Sequence, residues 1–457
     1  MTNAVGHANV AYSVPFPKQQ ESILIATCFV LTRWDLHKLA AFVFSVVWFT
    51  SLGHAAVNVR DFGAVGDAKA DDTQAIRAAL EASSHVHFPA GVYVISDGID
   101  LPRGVRLTGE GSPALGTFPL SDDKEYFAEG QRHRLPGTTI LFRGHANRQI
   151  ETRRGDRFKT LRYAIKTEAT GSFLIQGLAI ALDMTVIDAS GKRTMPDADQ
   201  RSDCEVGLLV DDSFAGTVRD VQVFGHWSKA GMCIVSRGLG DNPDYNAFWN
   251  SSFMGDIGVA MVGSDSADGP GLSGTQFHGC RLFAGDHHNR SSGEFGTAAL
   301  FIDGRTAGKR ADLNGHSFFG GCIRTYNNRA IVLDHASNLS FHGVVFELPA
   351  WNGNQQQTRK QNQPGRIVGT VNTRDVYLFG CRMHDVGLHP LADGMNDGTV
   401  IAIPDRFGAL SFNQSGHTVR LSVSPKKGAF VQLTDDGNTT NSGRRIGELD
   451  SPRLDSQ

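Results

Sequence analysis

Between residues 86 and 142, apolar residues come in short runs: Val86-His87-Phe88, Val92-Tyr93-Val94-Ile95, Val105-Arg106-Leu107 and Thr139-Ile140-Leu141-Phe142. Gly, Pro and Asp close each run. Short runs rich in β-branched and aromatic residues, ended by turn formers, predict strands. One stretch has another period. Within 71–82, Ile76, Ala79 and Leu80 make a single narrow apolar stripe. Asp71 or Asp72 stands where it can accept the first free N–H groups, and Gln74 completes a capping-box-like pattern. A short helix is predicted there.

Downstream, one small pattern recurs: an apolar residue, any residue, a turn former, then a small or apolar residue. It occurs at Ile175-Gln176-Gly177-Leu178, Val218-Arg219-Asp220-Val221, Phe248-Trp249-Asn250-Ser251 and Phe277-His278-Gly279-Cys280. It continues at Phe319-Gly320-Gly321-Cys322, Phe341-His342-Gly343-Val344 and Leu378-Phe379-Gly380-Cys381. Gly, Asn and Asp tolerate the left-handed backbone that a sharp bend between short strands needs. The spacing is irregular, and its shortest interval, from Gly321 to Gly343, is about one coil of a parallel β-helix. Longer intervals are coils with inserted loops. Flanking Phe, Leu, Val and Cys would stack on their equivalents and fill a continuous core. The predicted fold is all-β: a right-handed parallel β-helix with a short N-terminal capping helix. Cys280, Cys322 and Cys381 fall in one column of this alignment and read as small buried apolar residues.

Glycine supplies 52 of 457 residues, which suits a turn-rich β fold. A net charge of −3 argues against a general nucleic-acid or membrane-surface binder. The six cysteines form no CxxC pair and no zinc spacing, so no metal and no cofactor is expected. Residues 39–52 are uncharged and mostly apolar, follow Arg33 and Lys38, and lead to Gly53-His54-Ala55, the layout of a signal peptide. An uncleaved membrane anchor is the alternative. Cleavage after Ala55 leaves five cysteines, so at least one stays unpaired. The expected organisation is a leader at 1–55, a capped β-helix at 56–397, β-rich coils at 398–434 and a frayed tail at 435–457. The expected location is secreted or periplasmic.

Three segments carry a family likeness: Asn58-Val59-Arg60-Asp61-Phe62-Gly63-Ala64-Val65-Gly66-Asp67, Asp71-Asp72-Thr73-Gln74-Ala75-Ile76 and Phe88-Pro89-Ala90-Gly91-Val92-Tyr93. Together they resemble the opening of the pectate-lyase-like superfamily, with a rhamnogalacturonase/epimerase-like N-terminal motif. The resemblance covers 57–110. It implies a right-handed parallel β-helix and a polysaccharide partner, within a superfamily of lyases, hydrolases, epimerases and tailspikes. Ala68 stands where the family usually places glycine, so a slightly different turn is expected there. The Asn-Thr-Asp, Asp-Asp, Gly-His-Gly and Arg-Ile-Lys set of polygalacturonases is absent, as is the Asp-Pro-His-Glu of alginate epimerases. Asp211-Asp212 reads as a strand-ending turn.

Counting on from each turn gathers Asp183, His226, Asp256, Asp286, Asn327, Glu347, His384 and Asp385 into a polar band. Two carboxyls on successive coils would lie about 5 Å apart and suit glycosidic cleavage. Asp256 and Asp286 are the first choice as catalytic residues, with His226 and His287 beside them. Long insertions at 112–137, 184–204, 237–247, 285–296 and 348–366 would wall a groove. Trp227, Tyr245, Trp249, Tyr326 and Trp351 could stack on sugar rings, and Arg281 and Arg324 could meet a uronate carboxylate. For β-elimination, Lys229 and Arg237 are further cationic candidates. The expected activity is glycoside hydrolysis, ahead of lyase or epimerase chemistry at C5 of a uronate. A non-catalytic glycan-binding adhesin is the rival class.

Overall fold

Strands of three to six residues cannot bury an apolar face alone, so they must stack on one another. A computed structural model describes residues 56–112, 137–183, 204–263, 271–284, 298–306, 313–347 and 374–384, without 153, 155, 169–170, 226, 238–242 and 326–328. It also describes short strands at 186–187, 193–194, 309–310, 366–369, 392–393, 400–404, 409–414, 417–424, 428–435 and 444–445.

Three parallel stacks surround one core. The first runs from Val57–Asn58, His85–Phe88 and Arg106–Gly109 through Leu174–Gln176, Thr217–Arg219, Ala247–Trp249, Gln276–His278 and Ser317–Phe319. It continues on Ala336–His342 and Arg374–His384. The second includes Gly91–Ile95, Thr138–Phe142, Ala179–Leu182, Gln222–Phe224, Ser252–Gly255, Arg281–Ala284 and Cys322–Thr325. The third includes Ile99–Leu101, Thr160–Thr167, Val206–Asp211, Ala230–Val235, Ile257–Val262, Ala298–Asp303 and Arg329–Asp334. From His85 onward the chain visits the first, second and third stacks in turn. Each circuit is one coil of a right-handed parallel β-helix, the hand that parallel crossovers take.

The turns from first to second stack are the left-handed residues the sequence pattern requires. Gly177, Asp220, Asn250, Gly279, Gly343 and Gly380 have φ of 66°, 52°, 46°, 63°, 62° and 58°. At the remaining coil the pattern slips by one. Phe319 lies opposite both His278 and His342, so Gly320 is the turn and Gly321 falls in the column of Cys280. Cys322 therefore faces Arg281, and only Cys280 and Cys381 share the expected column. Their thiols donate to the carbonyls of Phe248 and Phe341, each at 3.3 Å. Burial pushes the Cys280 thiol up to about 12 and Cys381 up to about 11, as expected of inert, apolar-like cysteines.

Inside, Phe248, Phe277, Phe318 and Phe341 form a ladder with ring centroids 4.8, 4.7 and 4.6 Å apart. Each such buried ring contributes roughly 1.5–3 kcal/mol. At one end the helix α1 (Thr73–Ala82) turns Ile76, Ala79 and Leu80 onto this core. Asp71 Oδ1 accepts the Thr73 N–H at 3.0 Å, whereas Asp72 takes the N–H groups of Val65 at 2.6 Å and Gly66 at 3.2 Å. So Asp71 caps the helix and Asp72 ties down the preceding turn. In that turn Ala68 has φ 65°, the left-handed geometry a glycine would take without strain.

The outer face of the third stack is covered. Gln149–Glu151 pairs antiparallel with residues 160–162, and the hairpin packs Ile150, Phe158 and Leu161 on Leu209, Cys233 and Ala260. Toward the C-terminus, Val400–Pro404 adds to the first stack in parallel. Ala409–Gln414, His417–Ser424 and Gly428–Asp435 then pair antiparallel, a meander in place of the further coils expected at 398–434. The chain divides after Ala55, and the leader lies outside the described residues. No helix among the described residues is long and apolar enough to cross a membrane.

Candidate functional site

The predicted acidic column is placed in part. Asp183 and Asp256 each follow a strand of the second stack, and each faces a guanidinium: Arg143 Nε at 2.7 Å from Asp183, Arg157 Nη2 at 2.6 Å from Asp256. Gly255 pairs with Ala284, the last described residue before 298. Asp286, His226, His287, Tyr326 and Trp351 lie outside the described residues. Trp227 is a correction: it is fully buried in the core, where no sugar can reach its ring. Tyr245 and Trp249 are 63% and 40% exposed, as stacking surfaces must be. Arg281 is half-buried on the second stack, and Arg324 lies 5.6 Å over the Phe283 ring. Lys229 is bound by Glu205 at 2.9 Å, and Arg237 by Asp211.

A second acidic column lies at the C-terminal end of the third stack. Asp211, Val235, Val262, Asp303 and Asp334 are level with one another on five successive coils. Asp303 and Asp334 are therefore direct neighbours, about 4.8 Å apart along the stack. Their surroundings differ. Asp303 is fully buried and accepts from Arg154 Nη2 at 2.7 Å, while Arg154 Nη1 donates to the Gly263 carbonyl at 3.3 Å. The Asp334 side chain stays 10% exposed and meets His335 Nδ1 at 2.6 Å. Asp211 accepts from Arg237 Nε at 2.6 Å, with Lys166 Nζ at 3.9 Å. Lys166 also reaches Asp100, which accepts from Tyr163 Oη at 2.7 Å. Burial pushes the Asp100 carboxyl up, but Tyr163, Lys166 and Arg148 outweigh it and the net shift is downward. The roughly 20 Å between the ends of a six-residue strand separates this column from Asp256, so the two cannot serve one reacting bond.

The corner that follows, leading into the first stack, has a left-handed column of its own. Backbone pairing sets Ala215, Tyr245, Gly274, Gly315 and Asn338 level, with φ of 51°, 57°, 66°, 72° and 54°. A tyrosine in this region is strained by about 1–3 kcal/mol, and such outliers concentrate at functional sites. Phe214, itself 40% exposed, meets the Tyr245 ring edge-on at 5.8 Å.

Comparison with known proteins fits this geometry. Residues 56–282 match the family model described as Rhamnogalacturonase A/epimerase, pectate lyase-like. Over those residues the chain belongs to this family. The pectate-lyase-like chain is also 38% identical over 82 residues to the pre-neck appendage protein of Bacillus phage phi29, covering 18% of this chain and 9% of that protein. It is 42% identical over 62 residues to a probable glucan endo-1,3-beta-glucosidase of Arthroderma benhamiae, covering 13% and 7%. It thus spans less than a tenth of the length of these curated relatives. Among solved structures it resembles ORF18 of Geobacillus virus E2 at 15% identity and TM-score 0.44, over 88% of this chain and 78% of that one.

One feature of the pectate-lyase-like helix escapes a sequence reading. The slot left as any residue in the repeat is Trp249, His278, Phe319, His342 and Phe379 on five consecutive coils. These rings stack outside the core at 3.8, 4.8, 4.9 and 4.8 Å. Because each ring covers its neighbour, interior members present only their edges to solvent, and Trp249 gives up one face to His278. One residue before the turn the first two repeats carry Gln176 and Arg219 and the last five an aromatic or imidazole ring, a mix that a reading by polarity passes over.

Proposed function

We propose that this chain acts on a polysaccharide and hydrolyses its glycosidic bonds, with Asp334 as the carboxyl that substrate reaches. The observation that supports this is the register at the end of the third stack, which sets two carboxyls side by side in unlike surroundings. Glycosidic cleavage asks for a carboxyl that passes a proton to the leaving oxygen. Asp334, oriented by His335, gives its proton to that oxygen as the C–O bond breaks, and water adds at the anomeric carbon. Asp303, buried one coil back and fixed by Arg154, sets the charge beside Asp334 without touching substrate. Hydrolysis is put ahead of β-elimination because two of the candidate cations for a uronate carboxylate, Lys229 and Arg237, are already engaged by Glu205 and Asp211. A polysaccharide substrate places the protein outside the cytoplasm, in keeping with cleavage of the leader after Ala55.

Binding without cleavage has its own support in the exposed rings of Tyr245 and Trp249 and in the likeness to a phage appendage protein. A panel of polysaccharides separates the readings. New reducing ends, lost in Asp334→Asn at unchanged melting temperature and retained in Asp256→Asn, are the expected result. Absorbance growing near ~235 nm marks an unsaturated uronate and would replace hydrolysis by elimination. Retention of a glycan with neither signal would leave a binding protein.

A further inference from the structure

The two ends of the outward ladder on the first stack differ. At one end Phe379 is level with Ile403 on the next strand, so the chain itself continues an apolar column. At the other end is Trp249. His278 lies against one face of the indole, at 3.8 Å and 5° from parallel, yet 40% of Trp249 remains exposed. Level with it one coil back is Arg219, and one coil further Gln176. Arg219 turns to its own neighbour Asp220, Nε to Oδ2 at 3.3 Å, and its side chain stays 58% exposed. Beside this column, on the same face of the sheet, Leu174, Thr217 and Ala247 are level with one another and uncharged. Arg106, exposed and level with Leu174, adds a second cation against the single carboxylate of Asp220. The ladder thus ends on an uncovered indole face in cationic surroundings.

We propose that Trp249 and Arg219 form a binding site for a planar aromatic carboxylate, whose ring stacks on the outer indole face and whose charge meets the guanidinium. The site is separate from Asp334, which belongs to the third stack. Planarity follows from the spacing. Rings of the ladder lie 3.8 to 4.9 Å apart because adjacent parallel strands do. Between the levels of Trp249 and Gln176 are two rises, about 9.6 Å, and they must hold the ligand ring together with the stem of Arg219. A flat ring needs only about 3.5–4 Å of contact distance, so it repeats the ladder on the other side of the indole. A saturated ring with axial hydrogens is too thick to do so. Stacked aromatic pairs also gain beyond the area they bury. Negative charge follows from Arg219. Its planar fork can serve two carboxylates, Asp220 through Nε and a ligand through the terminal nitrogens.

Ligand-observed NMR titration with naphthalene-2-carboxylate tests both halves of the site, set against neutral 2-naphthalenemethanol and non-planar cyclohexanecarboxylate. The planar anion is expected to bind with a Kd of about 1 mM, and each of the other two roughly tenfold more weakly. Arg219→Gln repeats Gln176 of the coil before, and Trp249→Phe repeats Phe319 two coils on, so both suit the column. Melting temperatures confirm folding. Arg219→Gln should weaken naphthalene-2-carboxylate roughly tenfold and leave 2-naphthalenemethanol unchanged. Trp249→Ala should abolish binding, and Trp249→Phe should restore most of it. If Trp249→Ala does not fold, Arg219→Gln decides, since its side chain is exposed and holds no core. Equal binding of the three probes, unaltered affinity in Arg219→Gln or in folded Trp249→Ala, or no binding of the planar anion would overturn the site. Displacement of naphthalene-2-carboxylate by laminarihexaose would assign the indole face to a sugar and overturn it as well.

Discussion

A methyl group at Gly321 would stand 1.9 Å from the Cys280 carbonyl, whereas at Gly320 it would meet nothing within 4 Å. Both residues have positive φ, 78° and 62°. Gly320→Ala should therefore carry only the left-handed penalty, about 1–2 kcal/mol. Gly321→Ala adds a backbone collision in a packed coil, and denaturant unfolding should find it far less stable than Gly320→Ala or not folded. Equal midpoints for the two variants would contradict a register that bends at Gly320 and packs Gly321 on Cys280. This pair also marks how far single residues could be read from sequence. Turn formers were legible because few residue types tolerate the left-handed region, and Gly177, Asp220, Asn250, Gly279, Gly343 and Gly380 all lie there. Two adjacent glycines carry no such information about which of them bends. Tyr245 was legible only as an aromatic in a loop, since its residue type argues against the φ of 57° that it adopts.

Among elements, the hairpin over the third stack depends on a contact that local sequence could not announce. Arg154 and Asp303 are 149 positions apart and both almost wholly buried. Removing Arg154 takes this cation from a fully buried carboxylate, whereas Arg154 keeps Asp156 when Asp303 is replaced. Arg154→Met should destabilise by about 3–5 kcal/mol and Asp303→Asn by less, and replacing both by apolar residues should recover much of the larger loss. Thermal melts of the two singles and the double check it, and additive losses would refute the pairing. The outward ladder gives a second element-scale prediction. The imidazole of His278 lies 3.8 Å from the Trp249 ring, and burial lowers its pKa from the ordinary value. A stacked imidazolium quenches indole emission. Fluorescence lost in Trp249→Phe should therefore decline, in the unaltered protein, with a midpoint below the usual imidazole value of about 6.5. The stack itself was invisible in the sequence because its members alternate among three residue types; periodicity arguments score polarity, and histidine breaks the apolar pattern.

For the molecule as a whole, the continuous core sets how it responds to acid. His316 follows the bare glycine at 315 and turns into the core, fully buried. Burial pushes it down to about 3, against a smaller upward pull from the backbone of Leu272. In the unfolded chain the same imidazole takes up a proton near pH ~6.5. Between those values the unfolded state binds more protons, so stability falls as pH drops, by about 1.4 kcal/mol per unit, and is insensitive to this group above about pH 6.5. The carboxyls of Asp67, Asp71, Asp97 and Asp100 are all lowered from 3.8, so their contribution is lost only at more acid pH. The two effects occupy different windows and can be told apart. Denaturant unfolding at intervals from about pH 7 to about pH 4.5 should show a steady decline that flattens in His316→Gln, even if that variant begins less stable. Because every coil packs on the next through one core, the decline should appear as loss of the coils surrounding residue 316 together rather than of a separate lobe. Hydrogen exchange at about pH 5 would then show Phe277, Phe318 and Phe341, whose rings stack beside that position, losing protection in concert.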